Sequence, residues 1–260
     1  MSARSLAITA ETAARRTVAE RGGLAVTVCF YALVTTVLAG LWRAAAETNG
    51  GLIAGYSGVA LTWYIATTEA ATVSLNTRLI ADIGGDIASG AIAVELLRPI
   101  SILAQRVVAE LGRVLPRVII CALSGVLIAR FTAGSPPNVA SLALAYPSLL
   151  LAVLCNLIAQ HAFAAVSFWL GNSGASWFLY QKLVFMVGGM LIPLEVLPGW
   201  LHRIAAVLPF RSMAYAPARL ASGHLEPVLL LEQLAWIAAL SLLAMRVFAA
   251  GERRLQVVGG

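Results

Sequence analysis

The feature that most constrains this chain is a set of apolar runs too long for the interior of a soluble domain, at residues 22–42, 53–75, 107–131, 139–170, 176–194 and 227–249. About 20 such residues in a helix cross the ~30 Å hydrocarbon core of a bilayer. Lipid cannot hydrogen-bond to a peptide backbone, so each crossing must be an element that satisfies its own N–H and C=O groups. With 60% of residues hydrophobic, 12% charged and a mean hydropathy of +0.87, the chain has too little charge to clothe a water-soluble surface. The expectation is an all-α membrane protein, a six-transmembrane-helix bundle forming a single domain over residues 1–260. The first run is too long for a signal-peptide core and reads as a retained span. The fourth contains Pro147, which predicts a kink or a start nearer Leu149.

Net charge is +6 and the isoelectric point is near 9.7, which would suit nucleic acid if the arginines formed one patch. They sit instead at the ends of the runs, where they report topology. If the N-terminus lies inside and six spans follow, thirteen Lys and Arg residues fall at or toward the cytoplasm and five outside. Both termini are therefore expected in the cytoplasm, with no nucleic-acid partner. Residues 1–21 carry Arg4, Arg15 and Arg16 among Leu6, Ile8 and Val18, the pattern of a helix lying on lipid headgroups rather than crossing. Cys29, Cys121 and Cys155 lie inside apolar runs with no metal or redox spacing, and no metal site is expected.

Two connections are neither short nor uniformly polar. Residues 76–101 hold Asp82 and Asp86 four apart and Ile83 and Ile87 four apart, so a helix would carry an acidic edge beside an apolar one. Gly90 can end that helix, and Pro99 breaks the chain before the third span. Such a helix either packs on its own bundle or lipid, or offers an apolar anchor with a charged rim to a cytoplasmic partner. Residues 192–227 contain Pro193, Pro198, Pro209 and Pro217 in an otherwise apolar stretch, which predicts short broken helices folded back into the outer leaflet. Trp200 and Tyr215 suit the membrane interface. This stretch is either a structural lid or an outer gate.

The chemistry is sparse. A phosphate-cradling loop needs a lysine after glycine, and the single lysine, Lys182, stands in Phe178-Leu179-Tyr180-Gln181-Lys182, so no nucleotide site is expected in this sequence. Neither a zinc-protease nor a serine-hydrolase signature occurs, and no bond chemistry or bound cofactor is expected. A proton- or ion-coupled carrier would need titratable groups at mid-depth. The candidates are Glu69 and His161, with Trp63 as a further pathway residue, and each has an ordinary structural reading: pairing of Glu69 with an arginine such as Arg113, a satisfied core histidine, a packed ring. A scaffold without transport is a further alternative.

At the two long connections the sequence resembles the ABC-2-type permeases, the six-span subunits of bacterial ATP-binding-cassette exporters. The residues that carry this are Ile87-Ala88-Ser89-Gly90 with Leu96-Leu97-Arg98-Pro99, and Ile192-Pro193-Leu194-Glu195-Val196-Leu197-Pro198-Gly199-Trp200-Leu201 with Leu208-Pro209-Phe210 and Tyr215-Ala216-Pro217. The resemblance implies an N-terminal interfacial helix, a cytoplasmic coupling helix over 76–101 and a re-entrant outer segment over 192–227 before the last span. It implies that Asp82, Ile83, Asp86, Ile87 and Gly90 contact an ATPase, with Leu97, Arg98 and Pro99 shaping the return to the third span. Pro193, Leu194, Glu195, Pro198, Trp200, Pro209 and Phe210 would form the outer gate. It further implies two copies of a cytoplasmic ABC ATPase that hold the ATP and Mg, a second permease, identical or a sibling, and residence in the bacterial inner membrane. The substrate would be an apolar or amphiphilic drug, natural product or lipid-like molecule.

Overall fold

The computed structural model describes residues 3–92 and 101–258, and it is almost entirely helical. In chain order the elements are α1 (Ala3–Ala19), α2 (Arg21–Thr48), a two-stranded hairpin of β1 (Leu52–Ile53) and β2 (Tyr56–Ser57), α3 (Gly58–Ser74), α4 (Leu79–Ala88), α5 (Ile102–Ala133), α6 (Val139–Ala165), α7 (Ser167–Leu170), α8 (Gly174–Val187), α9 (Gly199–Val207), α10 (Tyr215–Ala221) and α11 (Val228–Val258). Two 3-10 turns, Leu194–Val196 and Pro209–Met213, flank α9.

Among the described residues, four helices are long and apolar enough to cross a membrane: Arg21–Thr48, Ile102–Ala133, Val139–Leu170 and Val228–Arg254. Burial ranks them. About 17% of the apolar window of α2 is buried against 56% for the third of these spans, so α6 is the central post and α2 lies at the rim. The α2 sequence explains why. Val26, Phe30, Leu33, Val37 and Leu41 fall on one exposed stripe, while Tyr31, Thr35 and Ala39 fall on the buried one. An exposed apolar stripe of this length is satisfied by lipid.

The second and fifth apolar runs give shorter helices than the sequence suggested, 17 and 14 residues. The second run opens as a hairpin because Ala54 (φ 49°) and Gly55 (φ 87°) take left-handed backbone in succession, the requirement of a tight two-residue turn. Ser57 then caps α3 by accepting from the Ala60 N–H at 3.2 Å. The fifth run stops at Gly188-Gly189, where Gly189 has φ +71°. The fourth run starts at Val139 rather than near Leu149. Asn138 accepts from the Ser141 N–H at 3.1 Å and fixes the first turn, and the helix continues through Pro147 at the loss of one backbone rung.

One core runs from Tyr31 on α2 through α3, α4, α5, α6 and α8 to Phe248 on α11. Close approaches are set by glycine. At Gly112 a Cβ would stand 2.3 Å from the Ala10 carbonyl oxygen, so α1 lies directly on the backbone of α5. At Gly125 a Cβ would stand 2.1 Å from the Tyr31 hydroxyl, which donates to the Ala66 carbonyl at 2.8 Å and so ties α2 to α3 across α5. Gly125→Ala is therefore expected to cost about 1–3 kcal/mol by overpacking, and Tyr31→Phe alone about 1 kcal/mol. Combined, they should cost less than their sum, because removing the hydroxyl makes room for the methyl. Thermal unfolding of the four proteins in one detergent measures this cycle.

Candidate functional site

Three places concentrate polar side chains inside this apolar chain: α4, the broken segment over residues 192–227, and a cavity between them. The α4 helix is amphipathic, but its apolar side is already used. Ile80, Ile83 and Ile87 are buried in the core of the bundle, so of the two readings open to the isoleucines, packing on their own chain is the one observed. The outward face consists of Asp82, Gly85, Ala88, Ser89 and Gly90. Asp86 does not stand free at the rim, because Arg106 of α5 holds it at 2.7 Å. Leu97, Arg98 and Pro99 lie outside the described residues.

Gly84, which the spacing of acidic and apolar residues did not single out, sets how deep α4 sits. A Cβ there would stand 2.3 Å from the Ser173 Cβ and 2.9 Å from the Ser167 Oγ. The helix is therefore pressed against the corner where α7 turns into α8. Trp177 adds a second tie by donating from its indole N–H to the Thr77 carbonyl at 2.8 Å. Movement of α4 is thus directly opposed or followed by α8.

Residues 192–227 form the broken stretch that the prolines predicted, as short helices and 3-10 turns. Glu195 is its polar centre. Tyr215 donates to its Oε1 at 2.6 Å, Tyr56 donates to its Oε2 at 3.1 Å, and the Arg219 guanidinium lies 3.2 Å from Oε1. Arg219 also donates to the Tyr56 hydroxyl at 2.6 Å, to Glu226 at 3.0 Å and 3.1 Å, and lies over the Tyr56 ring at 5.3 Å. One arginine thus ties the hairpin, the turn after α8 and the entry to α11. Burial pushes the Tyr56 phenol up from its ordinary value, and the Glu195 charge adds to this, so the phenol stays a donor. Burial and the nearby Arg219 charge hold the His224 imidazole below its ordinary value.

Of the other expected gate residues, Leu194 and Phe210 are buried and Trp200 is exposed with Ile204 and Val207, an apolar patch suited to the interface. Pro198 precedes α9 and Pro209 opens the second 3-10 turn. Phe210 meets Tyr180 of α8 edge-on at 6.3 Å. Tyr64 donates to the Gly189 carbonyl, and the Tyr215 N–H donates to the Gly188 carbonyl at 3.0 Å, so the glycine pair that ends α8 is bonded from two sides. The residues that sequence reasoning missed here are Tyr56, Tyr64 and Arg219. Their signal was present only as isolated polar residues far apart in the chain.

The cavity, about 350 Å³, lies between the C-terminal end of α3, α4, α6 and α8. Thr72, Asn76, Asn156, Gln160, Gln181 and Lys182 give it its polar character. None of Trp63, Glu69 and His161 lines it. Trp63 faces a small crevice of about 20 Å³ between α3, α5 and α6 and has no partner for its indole N–H among the described residues. His161 donates from Nδ1 to the Leu157 carbonyl at 2.7 Å, while its Nε2 has no partner among the described residues. Glu69 is buried, and Arg113 pairs with Glu110 instead of with it. No group of metal-ligating side chains occurs among the described residues.

A family model described as "ABC-2 family transporter protein" matches residues 31–259. No curated protein matches the chain.

Replacing Arg219 by Gln leaves Glu195 and Glu226 without their shared cation. Because the Arg219 and Glu195 side chains are 17% and 25% exposed, solvent screens part of the loss, and the expected cost is about 1–3 kcal/mol. Arg219→Lys should restore less than half of it, since one ammonium cannot reach Tyr56, Glu195 and Glu226 in the fork geometry of guanidinium. Thermal unfolding in detergent, with limited proteolysis between residues 188 and 226 as the local readout, tests both.

Proposed function

The chain belongs to the ABC-2 transporter family, and from that premise we propose that it is the six-span permease subunit of an ATP-binding-cassette exporter, moving an apolar or amphiphilic substrate outward. A separate cytoplasmic ABC ATPase, in two copies, supplies the energy, and a second permease, identical or a sibling, completes the complex. On this reading the spans are α2, α3, α5, α6, α8 with the turn after it, and α11. Both termini are cytoplasmic, α1 lies on the inner headgroups, and the protein resides in a bacterial inner membrane. The basic residues at the ends of the runs support this orientation.

The observation that carries the proposal is α4. It is a ten-residue amphipathic helix whose apolar side is locked into the bundle and whose other side is turned outward. A helix held this way acts as a lever: a partner that moves its exposed face moves the spans to which Ile80, Ile83, Ile87, Gly84 and the Asp86–Arg106 pair fasten it. The mechanism that follows is mechanical. Closure of the ATPases on nucleotide displaces α4, α8 follows through the Gly84–Ser173 contact, and access to the cavity alternates. The permease performs no bond chemistry, and the ATP and Mg belong to the partner.

The competing reading, a proton- or ion-coupled carrier, needs titratable groups that share a pathway. Glu69 and His161 do not line the cavity between α3, α4, α6 and α8, which argues against it.

The test is reconstitution with and without a co-purified cytoplasmic ABC ATPase. The chain alone should hydrolyse no ATP and carry nothing across vesicles, and the complex should do both. Asp82→Arg changes an exposed side chain with no ion pair among the described residues, so it should leave thermal stability within about 0.5 kcal/mol while lowering ATP-driven transport by about tenfold or more. Transport by the chain unaided, or full transport with Asp82→Arg, would overturn the reading.

A further inference from the structure

The cavity between α3, α4, α6 and α8 has a composition that the transport reading leaves unexplained. Among the described residues its walls carry four side-chain amides, Asn76, Asn156, Gln160 and Gln181, and one cation, Lys182, with no carboxylate. Asn156 and Gln160 are each 4% exposed, and they are bonded to each other, the Gln160 amino group donating to the Asn156 oxygen at 2.7 Å. That bond leaves the Asn156 amino group, with two N–H donors, and the Gln160 oxygen for whatever enters. Lys182 is an exposed residue two turns into α8, at the mouth of the cavity, where an ammonium facing lipid without a counter-charge is costly. Its charge has no acidic partner among the described residues, and its Nζ lies 5.2 Å from the centre of the Phe178 ring. Leu75, Val184, Phe185 and Met190 supply an apolar remainder to the same cavity, and Trp177 stands at its edge.

We propose that this cavity binds the acidic headgroup of a monoanionic amphiphile, with Lys182 as counter-ion, the Asn156 amino group as a second donor and the apolar wall receiving the tail. The site has the size of a small-molecule pocket and the division of labour expected of one, a few convergent polar groups on an otherwise apolar lining. The charge balance excludes the opposite class. A cation would meet Lys182 with no carboxylate to receive it, and an uncharged apolar molecule would leave the ammonium and amides unpaired on binding. Because Ile80 of α4 forms part of the wall, a headgroup seated here touches the same helix through which the ATPase is proposed to act. The proposal names the substrate class of the exporter reading and rests on that reading only for the word substrate. Binding itself does not depend on it.

The experiment uses the full chain in nanodiscs of uncharged lipid, without any ATPase. Energy transfer from tryptophan to dansylated undecanoate, at a pH where its carboxyl is ionised, is compared with transfer to the uncharged amide of the same probe, with empty nanodiscs subtracted. The wild-type chain should bind the carboxylate about tenfold more tightly than the amide, the worth of a charge-assisted hydrogen bond. Lys182→Gln should remove that preference while keeping wild-type affinity for the amide, which also shows that the variant is folded. Lys182→Arg should keep the preference. Equal affinity for the two probes in the wild type, or an undiminished preference in Lys182→Gln, would overturn the proposal. A chain that binds as expected but fails to couple to an ATPase would overturn the exporter reading alone.

Discussion

Everything in this structure depends on one constraint: backbone that leaves regular helix within an apolar protein must find its hydrogen bonds inside that protein. The long helices meet it by themselves. The turn after α8 does not, and the polar side chains of the chain gather where it fails. Tyr64 and the Tyr215 N–H reach the Gly189 and Gly188 carbonyls, Ser141 reaches the Leu220 and His224 carbonyls, and Gln233 donates to the Ser148 and Ser212 carbonyls at 3.0 and 2.9 Å. All but the half-buried His224 are buried, and a buried group costs more if left unpaired than it gains when bonded. The outer segment is therefore a fixed structure that α3, α6 and α11 hold jointly. It can rearrange only if those helices move.

The apolar runs made the membrane class and the order of the long helices legible from sequence, because a run of 20 apolar residues has few other uses. The prolines made the broken outer segment legible for an equally local reason, the missing N–H and the fixed φ. Where the reading failed, the cause was non-local or conformational. The hairpin before α3 needed two successive left-handed residues, and Ala54 at the first of them gives no sequence signal, since alanine is a poor occupant of that region. The clasp joins Tyr56, Glu195 and Arg219 across up to 163 positions; Glu195 and Arg219 share the proline-broken stretch, but nothing local to that stretch points to Tyr56.

The α4 isoleucines show a different limit. Period alone placed Ile83 and Ile87 on one face and Asp82 and Asp86 on another, and this is what the helix does. Period cannot say which face a protein keeps for itself. The answer came from Gly84, the residue without a side chain. Its bare backbone lets the helix sink against Ser167 and Ser173 until the isoleucines are covered, and the acidic edge is then divided, Asp86 to Arg106 and Asp82 to the outside. Glycine in the interior of a short helix costs up to about 1 kcal/mol in propensity, and close approach to a neighbour is the kind of gain that offsets it.

These local ties meet on two helices. The α3 helix carries Tyr64 against Gly189 at one end and Thr72 on the cavity at the other, and it begins directly after Tyr56 of the clasp. The α8 helix touches Ser173 and Trp177 to the α4 region at its start, lines the cavity with Gln181 and Lys182, and meets Phe210 through Tyr180. Both are short, at about 1.5 Å per residue roughly 26 and 21 Å, so neither can bend far and a tilt at one end appears at the other. A cavity walled in part by two stiff helices whose far ends are fastened to the Glu195–Arg219 clasp, and whose near ends rest on α4, has its opening set from both sides. Occupancy of the cavity and the posture of α4 are then linked by shape alone, because Ile80 is at once part of the cavity wall and part of the lever.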